Sequence, residues 1–345
     1  MILEVSQLNL SFDQKPVLKD FSFALNKGEI ACLLGPSGCG KTTALRTIAG
    51  FEQPDSGKII LNGKTLSDGL TFIPPHLRHV GMVFQDYALF PHLTAAQNIA
   101  FGIHKQSVDK RQQRVKELLD LIELADYGER YPHQLSGGQQ QRIALARALA
   151  PKPELILLDE PFSNLDADLR TQLSKEIRQL LKKENTSAIL VTHDQHEAFA
   201  IADKIGLMSA GRLNQWDTPY KLYHEPADIY TAHFIGAGVL LQGTVTDNQC
   251  IQLPVGTFHG PLPSLYKNGD ELHVLIRPDD IVYDENSLIT AEILDKDFKG
   301  NYFVYTLKIN SGETISMQIP AHYNHTIGSH IGICMNLEHL IAFSK

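Results

Sequence analysis

Gly35-Pro36-Ser37-Gly38-Cys39-Gly40-Lys41-Thr42 is the most informative stretch of this 345-residue chain. It matches the spacing G-x-x-x-x-G-K-[ST] of a phosphate-binding loop. The apolar run Ile30 to Leu34 precedes it, and the segment Thr42 to Ala49 suits a helix. Because the motif requires a buried strand before it and a helix after it, this context favours a phosphate site over its alternative, a glycine-rich turn without function.

The residue types in this loop suit a nucleotide with its magnesium ion. Glycines let backbone N–H groups turn inward around phosphate oxygens, and the N-terminus of the following helix adds partial positive charge. We expect Lys41 to neutralise the β- and γ-phosphates and the Thr42 hydroxyl to coordinate Mg²⁺. The predicted cofactors are therefore ATP and Mg²⁺, and the predicted loop contacts are Gly35, Pro36, Ser37, Gly38, Cys39, Gly40, Lys41, Thr42 and Thr43.

A second apolar run ends in two acids, in the stretch Leu155-Ile156-Leu157-Leu158-Asp159-Glu160. Nucleotide hydrolases hold Mg²⁺ with an acid at the end of a buried strand, which predicts Asp159 as a metal residue. Glu160 is predicted to polarise the attacking water as a general base. Two acids that merely end a strand in solvent are the alternative.

Two further motifs indicate a family. Leu135-Ser136-Gly137-Gly138-Gln139 resembles the signature motif of ABC proteins, and His193 follows Ile189-Leu190-Val191-Thr192 where a switch histidine contacts the γ-phosphate. With the phosphate loop and the acidic pair in the same order, residues 2 to 234 resemble the ATP-binding subunits of ABC transporters. The resemblance implies that His193 is catalytic, although an isolated histidine is more often structural.

The same resemblance assigns three more positions. Gln85 matches the Q-loop glutamine that senses Mg²⁺ and the γ-phosphate, and so it is counted with Lys41, Glu160 and His193 as catalytic. Phe12 lies where an aromatic ring stacks on adenine, with a core phenylalanine as the alternative. Ser163-Asn164-Leu165-Asp166 resembles the D-loop, in which Asn164 replaces the more usual alanine.

The resemblance also implies partners. In the family two ATP molecules lie between a head-to-tail pair of subunits, so Leu135, Ser136, Gly137, Gly138 and Gln139 would act on the ATP of a second copy in a homodimer. Membrane permease subunits and, indirectly, a periplasmic substrate-binding protein complete the importer. The apolar segment Tyr87 to His92 is predicted to line the groove where a permease helix docks, with a self-packed loop as the alternative.

The fold class is α/β with an added all-β domain. Strand-like runs alternate with amphipathic helices up to about residue 234, which predicts a parallel sheet covered by helices. We expect an ABC nucleotide-binding domain at 1–235, with a helical signature subdomain at about 88–150. The glycine-rich stretch at 236–238 is predicted to be a flexible junction, and 236–345 a small regulatory β domain similar to OB or TOBE domains.

The composition limits the cellular compartments and the partners that are expected for this chain. No run approaches the ~18 apolar residues of a membrane span, and the N-terminus lacks the pattern of a signal peptide. The four cysteines have no metal-like spacing and fit a reducing compartment. These features predict a cytoplasmic protein, and the resemblance to importer subunits implies a peripheral position on the cytoplasmic face of the inner membrane. Residues 236–345 carry six basic and twelve acidic side chains, which argues against nucleic acid as a partner.

The cargo is predicted from weaker signals. The strings Gly50 to Gly57, Arg130 to His133 and Phe234 to Gly238 resemble ferric-iron import ATPases, and Ile276 to Asp280 resembles a motif of importer tail domains. Sulfate, polyamine, sugar and molybdate importers are the alternatives, followed by a soluble ABC protein acting on ribosomes or DNA. His322, His325 and His330 allow a metal-sensing site, against the simpler interpretation of a histidine-containing loop.

Overall fold

The computed structural model describes residues 1–163, 167–247, 249–260, 262 and 266–344. These residues form two compact units, Met1–Pro219 and Tyr220–Lys345. The division lies earlier in the chain than the boundary expected between 235 and 236. The segment that precedes Gly236 packs within the second unit, since Ala232 shares an apolar cluster with Leu275 and Ile341.

The described strands of the first unit form two sheets. They are β1 (Leu3–Phe12), β2 (Lys15–Leu25), β3 (Ile30–Leu34), β4 (Ser56–Leu61), β5 (Lys64–Ser67), β6 (Val80–Val83), β7 (Leu155–Asp159), β8 (Ser187–Thr192), β9 (Lys204–Ser209) and β10 (Arg212–Asp217). Strands β2-β1-β4-β5 form an antiparallel sheet.

The other sheet has the order β10-β9-β3-β8-β7-β6. All its neighbours pair in parallel except β10 with β9. Every residue of β3, β7 and β8 is buried, as continuous apolar runs predict for strands covered on both faces. The carboxyl ends of β3, β8, β7 and β6 therefore lie next to one another along a single edge.

The helices of the first unit connect these strands. They are α1 (Lys41–Ala49), α2 (Ala95–Ala100), α3 (Val108–Leu121), α4 (Gly137–Leu149), α5 (Ala167–Lys183) and α6 (Gln195–Ile201). The N-cap of α3 is Ser107, and Asp109 lies in the first turn of the helix. There the carboxylate still complements the partial positive charge of the helix N-terminus. Helices α2, α3 and α4 fall inside the range predicted for the helical subdomain.

The second unit begins with two short helices and continues as strands. The elements are α7 (Pro219–His224), α8 (Ile229–Phe234), β11 (Val239–Asp247), β12 (Cys250–Leu253), β13 (Gly256–His259), β14 (Glu271–Ile276), β15 (Ile281–Tyr283), β16 (Thr290–Phe298), β17 (Tyr302–Ile309), β18 (Thr314–Pro320), β19 (His330–Met335) and β20 (Ala342–Ser344). The strands form two five-stranded sheets, β13-β12-β11-β14-β20 and β15-β19-β16-β17-β18, around one apolar cluster.

The glycines at 236 and 238 are not a free junction. A Cβ on Gly236 would lie 2.3 Å from Arg277 Nη1, and Arg277 donates a hydrogen bond to the Ala237 carbonyl oxygen. Gly236 is required because the buried guanidinium occupies the space of a side chain, and a Cβ on Gly238 would lie 2.9 Å from the Leu275 side chain. The expectation of a flexible junction was therefore wrong.

Across the described ranges, no helix is both long enough and apolar enough to cross a membrane.

Candidate functional site

The predicted catalytic segments meet at the carboxyl edge of the parallel sheet. The phosphate loop follows β3, Gln85 lies two residues after β6, Asp159 ends β7 and is followed by Glu160, and His193 follows β8. Because β3, β8, β7 and β6 are parallel neighbours, the topology collects all these residues along one edge. Open α/β sheets bind ligands in this position, beyond the carboxyl ends of their strands.

Close backbone contacts require glycine at both ends of the phosphate loop. A Cβ on Gly35 would lie 2.3 Å from the Met208 carbonyl oxygen, and one on Gly40 would lie 2.9 Å from the Val17 carbonyl oxygen. Gly40 also adopts a left-handed conformation with φ 103°, immediately before α1. The loop thereby turns sharply into the N-terminus of α1, the end of a helix that favours an anion.

Lys41 is held inside the curve of this loop. Its side chain is buried, and Nζ donates to the carbonyl oxygens of Gly35 at 2.8 Å and Pro36 at 2.9 Å. As the first residue of α1 it adds a full charge to the helix N-terminus. The positive end of the helix dipole and the ammonium group therefore act on the same anion position.

Thr42 and Asp159 bring two hard oxygen donors together. Thr42 Oγ1 donates to Asp159 Oδ1 at 2.8 Å, although the two residues lie 117 positions apart in the chain. Burial raises the pKa of Asp159, while the hydrogen bond from Thr42 opposes this shift. A hydroxyl and a carboxylate are the donor types that Mg²⁺ takes in phosphoryl-transfer sites, so this pair fits the ion.

Glu160 and His193 face each other at the same edge. His193 Nδ1 lies 3.6 Å from Glu160 Oε2, and the histidine side chain is 54% exposed. Glu160 has φ 43°, a left-handed conformation that is uncommon for a residue with a Cβ. Such conformations are concentrated at functional sites, where the surrounding fold holds them in place.

A polar network that sequence patterns did not reveal fixes the backbone around His193. Asp194 caps α6 by accepting the His196 N–H at 2.7 Å, and its other oxygen accepts from Arg170 at 3.0 Å. Arg170 also lies 3.3 Å from Glu197, and Glu197 accepts a hydrogen bond from Thr192. The aspartate before a helical segment is a sequence signal for capping, whereas the Arg170 contact depends on tertiary structure.

The signature residues form an exposed helix N-terminus. Ser136 is the N-cap of α4 in a reciprocal capping box: its hydroxyl accepts from Gln139 N–H at 3.3 Å and its own N–H donates to Gln139 Oε1 at 2.9 Å. Ser136 and Gly137 are exposed, while Leu135 and Gly138 are buried and anchor the turn. The Ser136 and Gln139 N–H groups are used within this cap, and Ser136 and Gly137 form the exposed surface of the turn.

Comparison with known proteins gives the family. A family model described as ABC transporter matches residues 18–163, and one described as TOBE domain matches residues 274–343. The Fe(3+) ions import ATP-binding protein FbpC 2 of Haemophilus influenzae (strain ATCC 51907 / DSM 11121 / KW20 / Rd) is 42% identical over 316 residues, covering 90% of this chain and 88% of that protein.

The chain belongs to the ATP-binding proteins of ABC importers.

Relatives with another named cargo match over a longer stretch. The spermidine/putrescine import ATP-binding protein PotA of Haemophilus influenzae (strain 86-028NP) is 38% identical over 352 residues, covering 96% of this chain and 93% of that protein. The putrescine transport ATP-binding protein PotG of Escherichia coli (strain K12) is 37% identical over 363 residues, covering 99% and 95%. Membership makes this chain an importer ATPase, and the cargo differs among its relatives.

A solved structure supports the fold of the first unit. The dimeric post-hydrolysis state of the ATP-binding cassette MJ0796 bound to ADP and Pi superimposes with a TM-score of 0.56 at 28% identity, covering 63% of this chain and 98% of that chain. Together with the TOBE match, this confirms the predicted fold class, an ABC-type nucleotide-binding domain followed by an all-β tail domain.

Three further predicted site residues of this importer ATPase are Phe12, Gln85 and Asp166. Phe12 ends β1 and is 45% exposed as a residue, which contradicts the alternative of a core phenylalanine. Gln85 is exposed after β6. Asp166 and its neighbours Asn164 and Leu165 lie outside the described residues.

The segment from Tyr87 to His92 is partly packed on its own unit. Arg147 of α4 donates to the carbonyl oxygens of Tyr87 at 2.8 Å and Ala88 at 2.6 Å, and Tyr87 is buried. The Phe90 ring lies 4.4 Å from the ring of Phe101, which is 52% exposed. The self-packed alternative therefore describes Tyr87 and Phe90, while Phe101 offers an exposed aromatic face beside them.

The tail histidines are dispersed among aromatic rings. His325 packs against Tyr283 at 5.0 Å between ring centroids, and its backbone N–H donates to the Tyr305 hydroxyl at 3.0 Å. His330 lies on β19 opposite Glu292. No group of three or more His, Cys, Asp or Glu side chains suited to a metal ion occurs in the part of the chain that the structure describes.

Proposed function

We propose that this importer ATPase binds MgATP at the carboxyl edge of its parallel sheet and hydrolyses it in a head-to-tail homodimer to drive solute uptake. The supporting observation is the convergence of four loops on that edge: the phosphate loop, Gln85, the pair Asp159 and Glu160, and His193. These four segments lie at the carboxyl ends of four different parallel strands, so adjacency in the sequence does not explain their grouping.

Each side chain has a role in this proposal. The loop N–H groups and Lys41 bind the phosphates, and Phe12 stacks on adenine with its exposed ring. Thr42, Asp159 and Gln85 hold Mg²⁺, which neutralises charge on the phosphate oxygens. Glu160 accepts the proton of the attacking water, and His193, 3.6 Å from it, orients the γ-phosphate and that water.

The second chain supplies the other half of the site. A phosphate loop covers one side of the γ-phosphate and leaves the other side in water. The exposed N-terminus of α4, with Ser136 as its cap, provides N–H donors for that side when a second copy closes over it. Closure of the dimer excludes water and strengthens these contacts. Hydrolysis then removes the γ-phosphate, the group that both chains bind, so the dimer opens.

The opening and closing of this dimer would drive transport through permease subunits. The proposed docking site for a permease helix is the surface beside Gln85, formed by Phe101 and by the exposed residues of the segment from Tyr87 to His92. A periplasmic substrate-binding protein would deliver the cargo from the other side of the membrane. The protein is accordingly proposed to lie peripherally on the cytoplasmic face of the inner membrane.

The substitution Glu160→Gln tests the catalytic assignment. The amide has nearly the same shape but cannot accept the proton, so we expect kcat to fall by about 10²- to 10⁴-fold. ATP binding should persist, and ATP should now trap the dimer, which size-exclusion chromatography with light scattering would detect. Turnover at the wild-type rate would show that Glu160 is not the base.

For the cargo we propose ferric iron. Support comes from the motif strings at 50–57, 130–133 and 234–238 and from the 42% identity to an iron import protein over 90% of the chain. Polyamine import is the second candidate, favoured by the 96% coverage of the PotA alignment. Since this subunit does not contact the cargo in either case, its own residues do not decide between them.

Uptake by the reconstituted complex separates the two candidates. The chain would be purified with the permease subunits and periplasmic protein from its own host and placed in proteoliposomes with MgATP. We expect radiolabelled Fe³⁺ to be taken up and labelled putrescine to be excluded. Putrescine uptake without iron uptake would establish the second candidate.

A further inference from the structure

Arg78 is an unusual residue of the first unit because it is a charged side chain buried in the protein interior. It is 1% exposed, the largest of the fully buried side chains. Nη1 donates to the carbonyl oxygens of Thr47 at 2.9 Å and Ile48 at 2.8 Å, and Nε donates to that of Ile73 at 2.6 Å. Burial lowers the pKa of Arg78 to about 10, so the guanidinium remains charged at neutral pH.

Two of these acceptors belong to the last turn of α1. Helix C-termini leave carbonyl oxygens without intrahelical donors and carry partial negative charge, so a buried cation there is stabilising. The N-terminus of the same helix carries Lys41 and Thr42, the phosphate and metal residues. Because α1 has only nine residues, a displacement at its C-terminus is transmitted to the cradle at its N-terminus.

The backbone of Arg78 lies at the start of a different catalytic segment. Strand β6 begins at Val80, two residues later, and leads to Gln85. The strand is paired in parallel with β7, which ends at Asp159. Arg78 therefore links the helix that carries Thr42 to the strand that carries Gln85, and these are two of the three proposed Mg²⁺ ligands.

The fold keeps space for this contact. Gly50 is the C-cap of α1 in a left-handed conformation with φ 89°, and a Cβ there would lie 2.4 Å from Arg78 Nε. The ring of Phe72 covers the guanidinium, with its centroid 5.0 Å from Cζ. The guanidinium fills the space beside Gly50 and lies against the ring of Phe72. Both features favour the planar group of arginine over the ammonium of lysine.

We propose that Arg78 is a positioning residue for ATP hydrolysis, which holds the phosphate-loop helix and the Gln85 strand in the register that Mg²⁺ requires. The inference rests on the proposed roles of Thr42 and Gln85 as metal ligands. Arg78 contacts neither nucleotide nor metal in this proposal. It acts through one rigid guanidinium, which donates hydrogen bonds to two carbonyl oxygens at the end of α1 and to that of Ile73.

The variant Arg78→Lys tests the proposal while keeping the buried charge. A lysine donates from a single nitrogen and cannot reproduce the fork that spans both segments. We expect ATP affinity without Mg²⁺ to change less than about twofold, because the phosphate loop is intact. We expect kcat to fall and the Mg²⁺ concentration for half-maximal activity to rise, each by about tenfold, as for other groups that orient metal ligands.

Arg114→Lys is the matched control. Arg114 Nη2 donates to the carbonyl oxygen of Leu149 at the end of α4 at 3.3 Å and to Glu184 at 3.0 Å, so it caps a helix away from the phosphate loop. We expect this variant to lower the unfolding temperature without altering Mg²⁺ dependence. If Arg78→Lys behaves in the same way as the control, Arg78 is only a stabilising residue and the proposal is wrong.

A double-mutant cycle with Gln85→Ala identifies the route of the effect. If Arg78 acts through Gln85, Arg78→Lys should change kcat by less than about twofold in the Gln85→Ala background. Equal effects in both backgrounds would contradict coupling through Gln85. If Gln85→Ala alone retains the wild-type rate, the proposed metal role of Gln85 is wrong, and so is the coupling of Arg78 to it. If Arg78→Lys alone retains the wild-type rate and Mg²⁺ dependence, only the proposed role of Arg78 is wrong.

Gly50→Ala perturbs the same contact without removing the arginine. The new Cβ would displace the guanidinium, so the variant should reproduce the raised Mg²⁺ requirement if it folds, which circular dichroism would establish. A folded Gly50→Ala enzyme with wild-type Mg²⁺ dependence would count against the proposal.

Discussion

Asp280 in the second unit is an acid whose burial outweighs the effect of a neighbouring cation. Its carboxylate accepts the backbone N–H of Arg277 at 2.7 Å, and Arg277 is itself buried, with its guanidinium 3.8 Å from the centroid of the Tyr223 ring. Burial raises the pKa of Asp280 from 3.8 to about 6, with Asp279 adding to the shift and the Arg277 hydrogen bond opposing it. The folded chain therefore binds this proton more tightly than the unfolded chain does.

The stability contributed by this proton depends on pH in a defined direction. It is fully present below the unfolded pKa of 3.8 and is lost as pH rises through the folded pKa of about 6. Asp280→Asn keeps an oxygen acceptor for Arg277 and removes the charge. We expect it to raise the free energy of unfolding at pH 7.5 by about 1 kcal/mol, after allowance for partial solvent screening.

Urea unfolding of the full chain, followed by far-UV circular dichroism at pH 4.5 and 7.5, measures the effect. The difference between Asp280→Asn and wild type should grow with pH over this interval. Asp279→Asn is the control, since its exposed side chain should change stability by less than about 0.5 kcal/mol. Equal changes in the two variants at both pH values would contradict the expected titration of Asp280.

Sequence patterns predicted candidate site residues that lie in motifs and missed residues that are distinguished only by their tertiary contacts. Lys41, Thr42 and Asp159 could be predicted because spacing and apolar context mark them. Arg78 and Arg170 could not, because their partners are carbonyl oxygens and carboxylates of segments remote in the sequence. A buried charge is informative only once its environment is known.

Among the elements, α4 and α2 begin with the same capping arrangement. In α2 the Thr94 hydroxyl accepts from Gln97 N–H at 3.3 Å and the Thr94 N–H donates to Gln97 Oε1 at 2.9 Å. Ser136 and Gln139 of α4 show the same two distances. The two caps differ in setting, since Thr94 is buried and Ser136 is exposed.

This pair separates helix capping from ligand binding. Ser136→Ala and Thr94→Ala should each destabilise the protein by about 1 kcal/mol, as loss of an N-cap does. In the Glu160→Gln background, Ser136→Ala alone should weaken ATP-dependent dimerisation, by about tenfold if one hydrogen bond to phosphate is lost. Sedimentation with ATP measures the dimer; equal weakening by both variants would show that the cap acts only on helix stability.

Element types were predictable where hydrophobic periodicity was strong. The buried apolar runs became β3, β7 and β8. The start of the second unit was not predictable from composition, since α7 and α8 read as continuations of the α/β domain. These helices pack with the second unit through the contacts of Ala232 with Leu275 and of Tyr223 with Arg277.

For the molecule as a whole, the proposed catalytic site needs two chains. The side chains along the sheet edge provide the phosphate loop, the metal residues and the base, while the exposed N-terminus of α4 belongs to a different part of the same unit. In a two-fold symmetric pair each chain would supply its phosphate loop to one site and its signature helix to the other. Two sites would then form from four half-sites.

Complementation between two inactive chains tests this arrangement. Lys41→Ala removes the phosphate-loop cation, and Ser136→Glu places a carboxylate where the signature helix should accept an anion, so each variant alone should be inactive. In a mixed dimer, Lys41 of the Ser136→Glu chain faces Ser136 of the Lys41→Ala chain, and one complete site results. An equimolar mixture should recover about a quarter of wild-type ATPase activity, since about half of randomly paired dimers are mixed and each has one of two sites intact.

Phosphate release measures the recovery, and native mass spectrometry verifies that mixed dimers form. If both halves of the site came from a single chain, neither variant would contain a complete site, and the mixture would remain as inactive as its components.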